Sequence, residues 1–388
     1  MRIEITWPLF VPDSLPRVPV HRSSRIPQLS GGANFFAHPI EFGHHSLLFK
    51  EFSGRGAMKI CIYGAGAIGG YVGCLLHEAG YEVTLIDQGA HLEAIQSNGL
   101  TLRIHDETRA VRIPCTDKPD TLPPQDYVFI AVKTYTIPQI LARVPALFHA
   151  GTAVVNVNNG IPWWYFHGDD NALGRTHLES VDPGGAQWRG LGAERAIGCV
   201  VYPACKIAAP GVIQHVSGNR FALGEPNGEK SDRVMQLAQA MREGGLKVSV
   251  KTRIRDEVWV KLWGNLAFNP ISVLTGATLQ QICEQAGTRS LVREMMLEAS
   301  VVAEHLGIRF NIDVDQRISG AQAVGEHKTS MLQDYEAGQP LELDALLASV
   351  LELGELVGQQ TTTIRHVLAL LQLKLQSRDA LTARRTSP

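Results

Sequence analysis

The chain has no run of about 18 or more apolar residues, so no segment reads as a membrane-crossing helix. It lacks a basic stripe: 36 Lys and Arg stand against 38 Asp and Glu, a net charge of -2. That balance excludes nucleic acid and an anionic membrane surface as expected partners. Cysteine is scarce, with Cys61, Cys74, Cys115, Cys199, Cys205 and Cys283 scattered and no C-x-x-C pair. This argues against a zinc ribbon or a disulfide framework and points to reduced, mostly buried thiols in a cytoplasmic protein. The doublet His44-His45 has no ligand partners at helical spacing nearby, and no other cluster has ligand spacing, so no metal is expected. A secretory signal is missing too, because Trp7 to Val11 is too short and too interrupted by proline to form its apolar core. A transit peptide should be poor in acids, yet Glu4, Asp13, Glu41 and Glu51 are present.

What is present is an ordinary globular composition, 45% hydrophobic and 19% charged, in 388 residues, enough for two domains with their own cores. Residues 1–57 are rich in Pro, Ser, Gly and Arg without a sustained period and read as a disordered extension. Folding is expected to begin at Met58.

From there the pattern changes. Lys59-Ile60-Cys61-Ile62-Tyr63 reads as a buried parallel strand that runs into Gly64-Ala65-Gly66-Ala67-Ile68-Gly69. Helical spacing follows through Val72, Leu75, Leu76 and Ala79, with Gly80 placed to stop the helix. A second strand, Val83-Thr84-Leu85-Ile86, ends at Asp87. A lone G-x-G-x-x-G is weak, but here strand, helix, second strand and acid all stand at the required distances. Gly64 permits the tight turn, Gly66 the approach of a pyrophosphate, and Gly69 close helix–strand packing. The run from Gly64 to Gly69, with Ala65, Ala67 and Ile68, is therefore expected to bind a dinucleotide at a helix N-terminus. Asp87 can accept both ribose hydroxyls of NAD and would repel the 2′-phosphate of NADP, and Gln88 follows it rather than an arginine. That chemistry favours NAD(H).

Asp126 to Val132 and Thr152 to Val157 read as further strands suited to a sheet covered on both faces. They end in Lys133-Thr134 and Asn158-Asn159-Gly160, which places Lys133 and Asn159 at the ligand edge of an open α/β sheet. Residues 162–196 read as an elaborated loop near the site, and 197–225 as strands turning at Pro210-Gly211. After about residue 228 the period becomes helical. Lys261, Asn265 and Asn269 recur at i, i+4, i+8 and share one side of a helix, which Pro270 is expected to end or kink near Asn269. A polar stripe in so apolar a helix is costly unless it lines a cleft. Ser330 and Glu342 are two further polar points, Glu342 standing where a helix should begin.

In these parts the chain resembles the ketopantoate reductase family (2-dehydropantoate 2-reductase), from Met58 to roughly Leu375. The parts come in family order: the glycine run, Val132-Lys133, Asn159-Gly160, Lys261-Leu262 with Asn265 and Asn269-Pro270, then Lys328-Thr329-Ser330-Met331-Leu332-Gln333-Asp334 and Glu342-Leu343-Asp344. The last three together are specific. The resemblance implies an α/β fold: a Rossmann-type doubly wound sheet at 58–227, then an all-α domain of the 6-phosphogluconate dehydrogenase C-terminal type at 228–376, with 377–388 a flexible tail. It implies that Lys261 is the catalytic acid, that Asn265, Ser330 and Glu342 contact the substrate, and that Lys133 and Asn159 lie where cofactor meets substrate. NADP(H) and a place in pantothenate synthesis are also implied. The chain departs from the family at Gln88, where NADPH-using members usually carry arginine.

Hydride transfer to a ketone leaves negative charge on its oxygen, and Lys261 can stabilise that charge and then protonate it. Burial should lower its pKa from about 10.4. The Ser330 hydroxyl can donate to a substrate carboxylate, and Glu342 can accept from a substrate hydroxyl. The expected partner is a small 2-keto acid. One alternative is an NAD-dependent D-2-hydroxyacid dehydrogenase acting on branched or aromatic 2-keto acids. The other is a nicotinamide-binding protein without turnover, which would not need Lys261, Asn265, Ser330 and Glu342 together. Apolar helices over 343–356 and 364–375 suit a homodimer face as well as core packing.

Overall fold

The computed structural model describes residues 58–169, 173 and 177–386, all within one unit, Gly54–Pro388. The extension expected at 1–57 lies outside the described residues. Strand β1 (Lys59–Tyr63) leads through the glycine run into α1 (Ala67–Glu78) and β2 (Glu82–Ile86), as the pattern of apolar residues requires. Next come α2 (Gly89–Asn98), the hairpin β3 (Leu100–Ile104) and β4 (Glu107–Val111), then β5 (Cys115–Thr116) and β6 (Gln125–Ile130). A short α3 (Ile137–Ile140) precedes β7 (Phe148–Asn156). Strands β8 (Ala196–Val201), β9 (Ala204–Ala209), β10 (Val212–Ser217) and β11 (Arg220–Gly224) follow in close succession, with Gly211 at φ +73° in the expected turn. Then come α4 (Asp232–Glu243) and β12 (Lys247–Val250).

The main sheet has eight strands in the order β12-β11-β8-β7-β6-β1-β2-β5. Its neighbours are parallel except β8 with β11. Ile60, Cys61 and Ile62 are all fully buried, as expected of a central strand packed on both faces. A second sheet, β4-β3-β10-β9, was not foreseen in the sequence. Its β3 shows period-2 burial, Leu100 and Leu102 inward and Arg103 outward, over a stretch too short to stand out. The helix α4 and the edge strand β12 belong to the sheet layer, so that layer runs past residue 227, where the helical half was expected to begin.

The helical part follows. It comprises α5 (Ile254–Thr275), α6 (Leu279–Glu284), α7 (Ala286–His305), α8 (Val314–Gln322), α9 (Ser330–Glu336), α10 (Ser349–Leu356) and α11 (Thr362–Thr386). Three expectations are corrected here. First, α5 does not stop at Asn269: it passes through Pro270 and ends at Gly276, which takes the left-handed conformation at φ +74°. An interior proline costs about 3 kcal/mol, but Trp259, Trp263, Leu266 and Phe268 on this helix are all buried, each worth roughly 1.5–3 kcal/mol. The Ser272 hydroxyl also donates to the Asn269 carbonyl at 2.7 Å. Second, α11 carries helix through most of the stretch read as a tail. Third, Trp163, Trp164, Tyr165 and Phe166 are buried, so residues 163–166 of the segment read as a loop belong to the core. In the helices suggested for a dimer face, Leu346, Leu347, Val350, Leu353, Ile364 and Leu371 enter the core, while Leu370 and Leu373 stay exposed. Among the described residues no helix is long and apolar enough to cross a membrane.

Candidate active site

The glycine turn joins β1 to α1 at the carboxyl edge of the sheet. Gly64 has φ +105°, and a Cβ there would lie 2.8 Å from the backbone of Ala131 and Val132. A Cβ on Gly69 would lie 2.9 Å from the Ile62 side chain, so only glycine lets α1 sit this close to β1. Gly66 caps α1 without a side-chain hydrogen bond, which leaves the first-turn amides of Ala67 and Ile68 for an anion.

Asp87 ends β2 as expected. Its carboxylate accepts from the amides of Ala65 and Gln88, both at 2.8 Å. It thus ties the second strand to the glycine turn. The sequence reading missed His91 on α2. Its Nδ1 accepts from the Gly211 amide at 3.0 Å, so its proton sits on Nε2 and is donated to the Ala65 carbonyl at 2.9 Å. Only the tertiary fold brings His91 to the turn, since no spacing rule connects them.

Lys133 follows β6. Its Nζ donates to Asp334 on α9 at 2.6 Å and lies 3.8 Å from Glu342, whose carboxylate also accepts from the Thr134 amide at 3.2 Å. Burial alone would lower the Lys133 pKa, but Glu342 and Asp334 outweigh it and hold the pKa above its ordinary value. Lys133 is therefore clasped by two acids of the helical part. Asp334 was quoted in the motif but not picked out as a site residue. Gly160, at φ +87°, packs so tightly that a Cβ would lie 2.6 Å from the Ala345 carbonyl carbon.

Between sheet and helices lies a small pocket. Asn156, Asn158, Asn159 and Gly160 line it from the end of β7, and Cys199 and Val200 from β8. Pro162 and Trp164 close one wall, and Val258, Lys261 and Leu262 of α5 the other. The structure thus brings Asn159 and Lys261 to one pocket. Among the described residues the Lys261 ammonium makes no hydrogen bond or ion pair. Burial lowers its pKa to about 8, against the opposing pull of Cys199 and Glu342. Lys261 is only partly buried by surface, because its free side faces the pocket.

Not every expected residue joins this wall. Asn265 and Asn269 continue the stripe along α5 but lie outside the pocket lining, and Asn269 is buried. Ser330, in the first turn of α9, is exposed. Its neighbour Thr329 makes the helix cap and bonds Ser272 at 2.5 Å. Glu342 lies nearly buried beside Lys133, close enough to act on Lys261 through its charge. Among the described residues no group of His, Cys, Asp and Glu is able to hold a metal ion.

A glycine turn at an open helix end, a carboxylate closing the second strand and a desolvated lysine in a pocket fit a dinucleotide-dependent oxidoreductase. The comparisons narrow the class. The profile described as "Ketopantoate reductase PanE/ApbA" matches residues 60–228, and "Ketopantoate reductase PanE/ApbA C terminal" matches residues 253–375. The chain belongs to the ketopantoate reductase family. It is 53% identical over 316 residues to the 2-dehydropantoate 2-reductase of Mesorhizobium japonicum, covering 81% of this chain and 97% of that one. Among solved structures it is similar to 2-dehydropantoate 2-reductase from Geobacter metallireducens, with TM-score 0.72 and 27% identity, covering 82% of this chain and all of that one. The ternary structure of D-mandelate dehydrogenase with NADH and anilino(oxo)acetate shares the fold, with TM-score 0.71 at 20% identity, covering 82% and 99%.

Proposed function

We propose that the chain reduces the ketone of 2-dehydropantoate to the 2-hydroxy acid, with Lys261 as the general acid. The observation that carries this reading is a desolvated, unpaired lysine in the pocket beside Asn159, with a pKa near 8. The residues fit a dinucleotide: Gly64 to Gly69 with the α1 N-terminus would hold the pyrophosphate, and Asp87 the adenine ribose. A reduced nicotinamide bound there supplies the hydride.

The chain's own part is charge and proton management. The Lys261 ammonium donates to the ketone oxygen and stabilises the charge that develops there. With a pKa near 8 it is mostly protonated at neutral pH yet gives up its proton readily. Asn265 and Asn269 extend the polar side of α5, and Asn159 faces Lys261 across the pocket. Asp334 and Glu342 hold Lys133 at the edge of the sheet.

Asp87 supports NADH as the reductant, with a branched or aromatic 2-keto acid as the second substrate reading. Initial rates with 2-dehydropantoate, NADPH and NADH side by side test both. Turnover of 2-dehydropantoate supports the proposal with either cofactor. Turnover confined to NADH and other 2-keto acids moves the chain to a D-2-hydroxyacid dehydrogenase.

A further inference from the structure

Two buried polar atoms, each on a residue that lines the Lys261 pocket, have no hydrogen-bond partner among the described residues. They are the Trp164 indole Nε1 and the Asn158 side-chain oxygen Oδ1. Their identities are not interchangeable. The indole N–H only donates. Asn158 turns its amide nitrogen to the Val132 carbonyl, which only accepts, so the remaining atom must be its oxygen. Both are held firmly. Trp164 is 1% exposed, and its ring edge lies where a Cβ on Gly198 would come within 2.8 Å, so the glycine in β8 makes room for the indole. A buried donor or acceptor left without a partner is costly, so a pocket whose lining carries one of each suits a ligand that brings the complement.

We propose that Trp164 and Asn158 bind the carboxamide of the nicotinamide ring, the carbonyl accepting from Trp164 Nε1 and the amide N–H donating to Asn158 Oδ1. This rests on the nicotinamide reading above. The carboxylate and ketone of a keto acid are acceptors only and would face the Asn158 oxygen with like partial charge, and the sole donor of 2-dehydropantoate, its hydroxyl, stands on a separate, freely rotating carbon. The carboxamide carries one acceptor and one donor on a single rigid group. It also sits beside the ring carbon that gives up hydride, so fixing it turns one face of the ring toward Lys261. Trp164 and Asn158 are therefore positioning residues. Trp164 comes from the 162–196 segment, whose sequence pattern shows no sign of such a role.

The test compares dissociation constants, by fluorescence titration, of NADH and NADPH with those of ADP-ribose and its 2′-phosphate, for wild type and Trp164→Phe. The phenylalanine keeps an aromatic ring and removes the N–H. Dinucleotide binding should weaken roughly five- to twentyfold, with ADP-ribose binding unchanged, which also shows that the variant is folded. A second measurement compares the wild type with Asn158→Ala. The 3-acetylpyridine analogue keeps the carbonyl but replaces the amide nitrogen by a methyl group, and it should bind several-fold more weakly than the parent dinucleotide. Asn158→Ala should narrow that gap. Equal losses for dinucleotide and ADP-ribose, or no loss in either, overturn the proposal. So does a loss seen only in the KM of the keto acid, which would assign the N–H to a substrate hydroxyl. A wild-type chain that binds neither dinucleotide nor ADP-ribose overturns the nicotinamide reading and this proposal together.

Discussion

At the scale of single residues, Lys261 is the proposed general acid, and its protonation sets the expected pH dependence. A general acid must hold its proton, and burial has moved the Lys261 pKa down to about 8. Reduction measured as kcat/KM should therefore be level below pH 8 and fall about tenfold per pH unit above it, while oxidation of the 2-hydroxy acid shows the opposite limb. Lys261→Ala should lower kcat/KM by roughly 10²- to 10⁴-fold without a matching drop in thermal stability. A full-rate Lys261→Ala variant would remove the lysine from the mechanism. In the proposed function Asp87 discriminates between cofactors by charge. Asp87→Asn keeps an acceptor for the Ala65 amide but removes the negative charge, so the kcat/KM ratio of NADPH to NADH should rise on the order of tenfold. An unchanged ratio would show that discrimination lies elsewhere.

At the scale of elements, α5 is both the core of the helical part and the carrier of the site. Trp263 is buried on it, stacks on Phe310 at 4.3 Å between ring centres, and donates from its indole to the Met296 carbonyl at 2.6 Å. Trp263→Ala should cost about 3–5 kcal/mol in denaturant unfolding, from lost contacts plus the cavity left behind. A shift under about 1 kcal/mol would contradict the packing described. The polar stripe on α5 was legible in the sequence because i, i+4, i+8 spacing needs no knowledge of the rest of the fold. The survival of the helix through Pro270 was not legible. A local rule weighs one missing N–H, whereas the fold weighs it against four large buried side chains.

At the scale of the whole molecule, the clasp from Lys133 to Asp334 and Glu342 links the sheet edge to the helices. Lys133 is 40% exposed at its side chain, so the pair contributes little to stability after solvent screening. Its effect is electrostatic and reaches across the pocket, since the Glu342 charge raises the Lys261 pKa against burial. Glu342→Gln keeps an acceptor for the Thr134 amide but removes that charge. The falling limb of the reduction profile should then move to lower pH than in the wild type. A limb that stays in place would mean that Glu342 does not sense Lys261.

The sequence by itself determined the elements whose signals are local. The glycine turn with Asp87 follows from a strand–turn–helix pattern, the buried strands from unbroken apolar runs, and the Lys261 stripe from helical spacing. Each of these rests on neighbours a few residues apart in the chain. Only the tertiary structure decided what depends on distant segments meeting. It placed His91 on the glycine turn, paired β3 with β10, set Asp334 on Lys133, left Ser330 exposed, and brought Trp164 and Asn158 to one pocket. Those contacts join residues whose separation in the chain carries no period, so burial and hydrogen-bond completion in the folded state select them.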